Sequence, residues 1–369
     1  MKIAHLSFAS DSRDAGIATS LSDLIHAQQS IGLCPSWQVV SELPFFNRDT
    51  ILRDFVLSGS DDLAHLHGLW RAPTRIATSL ASNSIPLVIS PHGMLSKRAL
   101  SISSLKKQLV WRLWEHRALT SARCLHALSS SEATDIRNLD LGIPIAVIPN
   151  CVRIPDLAPN NSLCPPPWAS SIPDSDSVLL FLGRFHSIKG LMPLLSAWKS
   201  VESFAKKHSF WLVLVGYGDN GALARHVSLS HKAGDLTRVR VFGPVFGSKK
   251  DSTFAFASGF ILPSFSEALP MSALEAMAHK KPVLLSSACN LPQAFSVGAA
   301  MPAEPEPSAL AASLKSFFEL TSNDRLLMGN LGHSLVSNHF SGFEVASQTR
   351  ELYNWILGGG SPPPFVELG

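Results

Sequence analysis

Leu180-Phe-Leu-Gly-Arg-Phe-His-Ser-Ile-Lys-Gly190 reads as an apolar strand that stops at Gly183, a short turn bearing Arg184 and Lys189, and a glycine opening the helical spacing of Leu191 to His208. An apolar run, a glycine-bearing turn and then a helix is the repeating unit of a parallel sheet with crossover helices. The unit recurs on both sides. Upstream, candidate strands are Ile3 to Phe8, Leu63 to His67, Leu87 to Ser90, Cys124 to Leu128 and Ile145 to Ile148. Downstream they are Val178 to Leu182, Trp211 to Val215, Val239 to Phe242, Gly259 to Leu262 and Val283 to Ser286, with helices near Gly221 to Ala233 and Met271 to His279. Pro155 to Trp168 and Pro173 to Asp176 are too rich in proline and turn formers for an element interior, which places a linker there. The expectation is an α/β chain of two doubly wound domains, residues 1–165 and 175–340, with a cleft between them. A helix over 341–357 is expected to pack back toward the first domain, and Gly358-Gly-Gly-Ser-Pro-Pro-Pro364 marks 358–369 as a flexible tail.

At 369 residues the chain is long enough for two cores. Its net charge of +3 and its 16% of charged residues do not fit a general nucleic-acid binder. Five scattered cysteines, none in a C-x-x-C pair, indicate neither a disulfide framework nor a zinc site, so a reducing cytoplasm is expected. No window approaches the length of apolar chain that spans a bilayer.

Ser266-Glu-Ala-Leu-Pro-Met-Ser-Ala-Leu-Glu-Ala-Met-Ala278 follows Pro263-Ser-Phe and carries Glu267 at a turn and Glu275 on a helix. Carboxylates accept hydrogen bonds from paired sugar hydroxyls, and free N–H groups at the start of a helix can hold a phosphate. A single acid so placed is usually a solvated surface residue. Here Arg184 and Lys189 stand at the carboxyl edge of the same sheet, where doubly wound folds bind ligands. A guanidinium and an ammonium at that edge neutralise a diphosphate, both bound and leaving.

Gly183-Arg-x-x-x-x-Lys-Gly190, Gly216-Tyr-Gly218 after a strand, and Pro263-Ser-Phe-Ser-Glu267 with seven residues to Glu275 together resemble the nucleotide-sugar domain of retaining glycosyltransferases of family 4. That family has the GT-B fold, two Rossmann-like domains facing across a cleft, and the resemblance covers nearly the whole chain. It implies that Arg184 and Lys189 hold the donor diphosphate, that Glu275 binds the ribose hydroxyls, and that Glu267 lies beside the transferred sugar. Gly183, Gly216, Gly243, Val245, Ala268, Leu269, Pro270 and Met271 would complete the donor site largely through backbone, although Pro270 has no N–H to give. Relatives commonly carry Glu-Gly-Phe-Gly where this chain has Glu267-Ala-Leu-Pro270.

In the first domain, Gly16 matches one of two glycines the family places after the opening strand, and an ordinary loop fits equally well. His92, in Pro91-His-Gly93, matches a strand-end histidine that contacts the donor sugar near the reacting centre. His67, Trp70 and Asn150 are acceptor-side candidates, whereas His65 and His126 read as satisfied structural histidines. Asn150 matches a Pro-Asn-Gly turn with Cys151 in place of the glycine, and turn structure is its simplest role.

The resemblance implies retaining transfer from a UDP- or GDP-sugar to a glycan or lipid-linked acceptor in surface polysaccharide assembly. Cationic clamping of the leaving diphosphate would do the chemistry, with catalytic roles for Glu267, His92, Arg184 and Lys189. The alternatives are a sugar-nucleotide epimerase of the same architecture and a catalytically silent binding subunit. No cofactor is expected, and no Asp-x-Asp is seen that suits a divalent ion on the donor, so metal independence is expected. Lys97 to Arg123 concentrates cations around Leu109, Val110, Trp111, Leu113 and Trp114. Such a stretch suits either an anionic membrane surface or an ordinary helix with its tryptophans in the core.

Overall fold

A computed structural model describes residues 1–8, 15–101, 103–156 and 164–368. Its strands are β1 (Lys2–Ser7), β2 (Cys34–Val39), β3 (Leu63–His67), β4 (Leu87–Ser90), β5 (Cys124–Ala127) and β6 (Ile145–Val147). They continue with β7 (Ser177–Arg184), β8 (Phe210–Tyr217), β9 (Val239–Phe242), β10 (Gly259–Leu262), β11 (Val283–Leu285), β12 (Ala300–Pro302) and β13 (Val366–Glu367). The chain divides into two compact units, Met1–Cys151 with Phe340–Gly369, and Val152–His339. The division falls at Cys151/Val152, ahead of the proline-rich stretch expected to be the linker. Trp168 and Ile172 within that stretch are buried, which draws its described part into the second unit.

Among the described residues the first unit has one sheet, ordered β13-β6-β5-β4-β3-β1-β2. All its pairings are parallel except β13 on β6. Both faces are covered, as parallel sheets require. Leu6, Leu66, Ile89 and Leu125 enter one apolar cluster, while Ile3, Leu63, Val88 and Cys124 enter another with Leu21, Leu24 and Leu352. Leu352 belongs to helix Gly342–Gly358, whose start is capped by Ser341 Oγ accepting from Glu344 N–H at 3.4 Å. That is the S-x-x-E spacing of a capping box.

The tail departs from expectation. Val366 and Glu367 pair antiparallel with Ala146 and Ile145, and Val366 is buried. The glycine- and proline-rich composition of 358–364 describes a connector, and the apolar pair Phe365-Val366 beyond it covers an otherwise open sheet edge.

The second unit carries an all-parallel sheet ordered β12-β11-β10-β7-β8-β9. β7 lies at its middle, with Val178 to Phe181 fully or almost fully buried. Helix Leu191–Lys207 packs its apolar stripe, including Leu194, Trp198 and Val201, inward.

Candidate functional site

Backbone proximity builds the carboxyl edge of the second sheet. β7 and β8 pair so that Gly183 lies opposite Gly216, and a Cβ on Gly216 would stand 1.8 Å from the Gly183 carbonyl oxygen. Arg184 is exposed at the end of β7. Lys189 closes a 3-10 turn, Ser187–Lys189, followed by Gly190 in the left-handed region at φ +69°. A Cβ at Gly190 would lie 1.9 Å from the Pro263 carbonyl oxygen, so only glycine lets the β7 turn and the β10 loop touch. Phe265 N–H donates to Ile188 O at 2.7 Å across the same contact.

Both glutamates are held by lysines. Glu267 Oε1 accepts from Lys189 Nζ at 2.6 Å and from Ser264 Oγ at 2.5 Å, with Lys189 and Glu267 side chains 17% and 11% exposed. The Glu267 main chain is fixed as well. Its N–H donates to Ala288 O at 3.0 Å, and its carbonyl accepts from Asn290 Nδ2 at 2.5 Å. Glu275 Oε1 accepts from Lys250 Nζ at 2.5 Å, with the two side chains 24% and 18% exposed. Lys189 thus faces Glu267 rather than Arg184, and Lys250 is a cation the sequence reading did not select.

The loop entering helix Met271–Ala278 has a tight turn of its own. Pro270 has φ −84° and ψ 73°, and Met271 N–H donates to Leu269 O at 3.0 Å, an inverse γ-turn. The Met271 amide is thus engaged within the loop. The amides of Ala268 and Leu269 make no hydrogen bond among the described residues and remain as donors. Gly243 and Val245 lie in the loop after β9, Gly243 exposed and Val245 half-buried. The Asp174-x-Asp176 spacing sits at the opposite, amino edge of the sheet, where Asp176 Oδ2 accepts from Trp211 Nε1 at 2.8 Å and Arg238 at 3.0 Å.

In the first unit the carboxyl edge carries two residues in the left-handed region, Trp70 at φ +68° and His92 at φ +53°. A non-glycine residue is strained there, and each is anchored through its own or the next amide by a buried carboxylate. Trp70 N–H donates to Glu115 Oε2 at 3.0 Å, and Thr74 Oγ1 donates to the same oxygen at 3.0 Å. Gly93 N–H donates to Glu132 Oε1 at 2.5 Å, and Leu128 N–H to Glu132 Oε2 at 2.8 Å. Burial pushes the Glu115 carboxyl up to about 7, and burial also raises Glu132.

Behind these turns His5, His65, His67, His92 and His126 form one network. His67 Nδ1 lies 3.1 Å from His92 Nε2, and His67 Nε2 lies 3.0 Å from His5 Nδ1. Burial holds all five below their ordinary range, His5 and His126 at about 4 and His92 at about 3. His5, His65 and His67 are also the group of possible metal ligands among the described residues, with ligand atoms within 4.8 Å of one another. Asn150 is half-buried after β6, and Cys151 beside it is buried in the core. Gly16 falls in the first turn of helix Ala15–Ser30, while residues 9–14 ahead of it lie outside the described residues.

The basic stretch is helical over Lys97–Ser101, Ser104–Val110 and His116–Thr120, with a π-helical turn at Trp111–Glu115. Trp111 and Trp114 are half-buried, and Trp111 packs on the core of the first unit. Leu105, Leu109 and Leu113 point to solvent.

Two family models divide the chain between them. Residues 22–151 match a glycosyl transferase 4-like domain, and residues 176–319 match glycosyl transferases group 1. The chain belongs to the family 4-like glycosyltransferases. It is 28% identical over 189 residues to the D-inositol 3-phosphate glycosyltransferase of Corynebacterium kroppenstedtii, a match covering 49% of this chain and 40% of that relative's length. The sucrose-phosphate synthase of Thermosynechococcus elongatus superposes with a TM-score of 0.75 at 17% identity, over 98% of this chain and 100% of that one. The Anabaena HepE protein in complex with UDP and glucose superposes with a TM-score of 0.69 at 16% identity, over 95% and 99%. At these identities the structural likeness shows the GT-B fold.

The group 1 match spans Gly183 to Glu275, and hence both glutamate–lysine pairs of this glycosyltransferase-family chain. Gly190→Ala should destabilise the second unit by about 2–4 kcal/mol, because the clash is with a backbone oxygen and φ is positive. Gly234→Ala, with φ +82° but nothing within 4 Å, should cost only about 1 kcal/mol. Denaturant unfolding of the two variants measures the difference. Equal costs would mean that the Gly190–Pro263 contact does not hold the loop.

Proposed function

We propose that this chain is a retaining glycosyltransferase that moves a sugar from a nucleoside-diphosphate sugar to a glycan or lipid-linked acceptor in surface polysaccharide assembly. The observation that carries the reading is the pairing of Lys189 with Glu267 and of Lys250 with Glu275 at one sheet edge. Each pair is an anion site and a hydroxyl site held in reserve. When a diphosphate arrives the lysines can turn to its oxygens, and the freed carboxylates can accept from sugar hydroxyls. Arg184, exposed beside Lys189 in sequence, adds a bidentate partner for the leaving phosphate. Electrostatic stabilisation of the departing diphosphate then supplies most of the rate enhancement, without a strong base. Metal independence is part of the proposal.

A UDP-sugar is the favoured donor because the similarly folded Anabaena protein is a complex with UDP and glucose. For the acceptor, Leu105, Leu109 and Leu113 present an apolar row beside the exposed Lys106, Arg112 and Arg117. That combination suits an anionic lipid surface carrying the acceptor. No described helix is long and apolar enough to cross a membrane.

Thermal-shift and calorimetric titration with UDP, GDP, ADP and their sugars tests the donor, since a ligand at a hundred times its Kd stabilises the folded state by about 2.7 kcal/mol. Labelled donor then separates the activities. Transfer to an acceptor is the expected result. An epimerised free sugar, or binding without turnover, would replace the proposal with one of its alternatives.

A further inference from the structure

Leu43-Pro-Phe-Phe-Asn47, between β2 and the helix Arg48–Ser58, leaves two adjacent aromatic rings in solvent, Phe45 at 73% and Phe46 at 95% exposure. One apolar side chain on a surface is ordinary, but neighbouring aromatics left outside the core form a patch of the kind that contacts something else. The fold does not need the rings. Leu43 N–H donates to Val40 O at 3.1 Å, Asn47 N–H to Pro44 O at 3.3 Å and Arg48 Nε to Leu43 O at 3.2 Å, so the turn is fixed through its backbone. The rings meet edge to face with centroids 5.5 Å apart, and the Arg48 guanidinium lies 5.2 Å from the Phe45 centroid. The aromatic pair is therefore presented on a turn that is already ordered, and little entropy is lost when it is covered.

Helix Arg48–Ser58 sends Leu52 and Val56 into the apolar cluster on one face of the first sheet, and the same cluster takes Trp111, Ala118 and Leu119 from the basic stretch. Helix Ala72–Arg75 packs on both segments. Arg75 ties them together, pairing with Asp49 at 2.6 Å and lying 6.0 Å from the Trp114 ring. The exposed side chains of the two segments thus leave the same sheet face, Phe45 and Phe46 from one and Leu105, Leu109 and Leu113 from the other. Lys106, Arg112 and Arg117 are exposed around the leucines, while the single acid of residues 97–123, Glu115, is buried. We propose that Phe45 and Phe46 are an aromatic wedge that enters the headgroup boundary of an anionic bilayer, a second anchor beside the leucine row. This rests on the lipid-surface reading of the acceptor above and adds to it residues on a separate element. One short anchor attaches reversibly, and a second on the same face multiplies the attachment. The wedge follows the carboxyl end of β2, so attachment there brings the sheet edge carrying Trp70 and His92 toward the headgroups. A second copy of this chain is the poorer occupant, because the same cations would face one another across the contact.

The test is flotation of the full-length chain with vesicles of phosphatidylcholine alone and of equal parts phosphatidylcholine and phosphatidylglycerol. The chain should float with the anionic vesicles and not with the neutral ones, and less as salt rises. Phe45→Ser with Phe46→Ser should lower the partition into anionic vesicles by about tenfold or more, the scale of burying one such ring. Its Tm should be unchanged, since both rings lie outside the core. In Phe46→Trp the added emission should be quenched by lipids brominated on their acyl chains, which reports insertion rather than surface attraction. Undiminished anionic binding in the double serine variant, or no quenching in Phe46→Trp, would overturn the inference. A dimer that forms with concentration and is lost in the double serine variant, without vesicle binding, would put a second copy in the bilayer's place. If Leu109→Ser with Leu113→Ser abolishes flotation while the phenylalanine variant leaves it intact, the lipid reading stands and the wedge falls. A chain that floats with neither vesicle removes both. Failure of sugar transfer, by contrast, overturns the proposed chemistry and leaves the flotation result standing.

Discussion

Between pH 6.5 and 5 the first unit should lose a large part of its stability. His5, His65, His67, His92 and His126 are all held neutral by burial, at about 4, about 3 or simply well below 6.5. Once the chain unfolds each returns to its ordinary value near 6.5. Below that pH the unfolded state binds a proton at each histidine that the folded state refuses, so stability falls as pH falls, by about 1.4 kcal/mol per group per pH unit. Glu115 and Glu132 act in the opposite sense. Their folded values are raised, so in the interval above the ordinary carboxylate range the folded state keeps protons that the unfolded state releases. His5 and His126 at about 4 and His92 at about 3, against Glu115 at about 7, leave a net loss near two protons, or about 3 kcal/mol per pH unit, and His65 and His67 add to it in the same direction while Glu132 opposes it. From pH 6.5, where the unfolded histidines are half-protonated, down to pH 5, that is about 3 kcal/mol, a large share of the stability of an ordinary domain at about 5–15 kcal/mol. Near-ultraviolet circular dichroism through the titration, with methyl NMR to assign the unit that melts, measures it. In Glu115→Gln one opposing group is gone and the acid loss should steepen by about 1.4 kcal/mol per pH unit. A first unit still native at pH 4 would mean that the network carries charge in the folded state.

The second large effect is on donor affinity. Lys189→Ala and Glu275→Ala should each weaken sugar-nucleotide binding by about 2–5 kcal/mol, the cost of removing one member of a buried charged contact. In Kd this is about 30-fold to several thousandfold. The side chains are 17% and 18% exposed, so little water is present to replace the lost partner. Lys250→Ala is the informative third variant. Glu275 keeps its carboxylate in that variant, so the loss should be smaller than for Glu275→Ala, and a double-mutant cycle should show the two residues strongly coupled. Calorimetry with the best nucleotide from the ligand panel measures all of these. Unchanged affinity in both Lys189→Ala and Glu275→Ala would remove the site from the second unit's sheet edge.

The central strands were readable because a parallel strand buried on both faces is a near-continuous apolar run, and β3, β4, β9 and β10 have the bounds the runs indicate. The strands that escaped are edges. β2 begins Cys34-Pro-Ser and is only half-buried, β12 is three residues ending in proline, and β13 hides behind a proline turn. Within the site, Glu267, Glu275, Arg184 and Lys189 stood out by spacing, but spacing says nothing about which cation meets which acid. Lys250 escaped because Phe246-Gly-Ser-Lys-Lys-Asp251 looks like a solvated loop. Glu115, the one acid within the basic stretch Lys97 to Arg123, gave no sign of its place and is fully buried, accepting from the Trp70 amide. His5, Gln28 and Tyr353 had no local signal at all, since Gln28 and Tyr353 meet across 325 residues of chain.

The first unit is made of two separated stretches, and its far end supplies Thr349, Tyr353 and β13. During synthesis this reverses the usual order. The second unit is complete as soon as His339 clears the ribosome, whereas the first, although made earlier, waits for the helix Gly342–Gly358 and the strand after it. Until then His65 and Gln28 lack their tyrosine and the β6 edge stays open. The half of the chain made first is therefore the one whose fold is completed last.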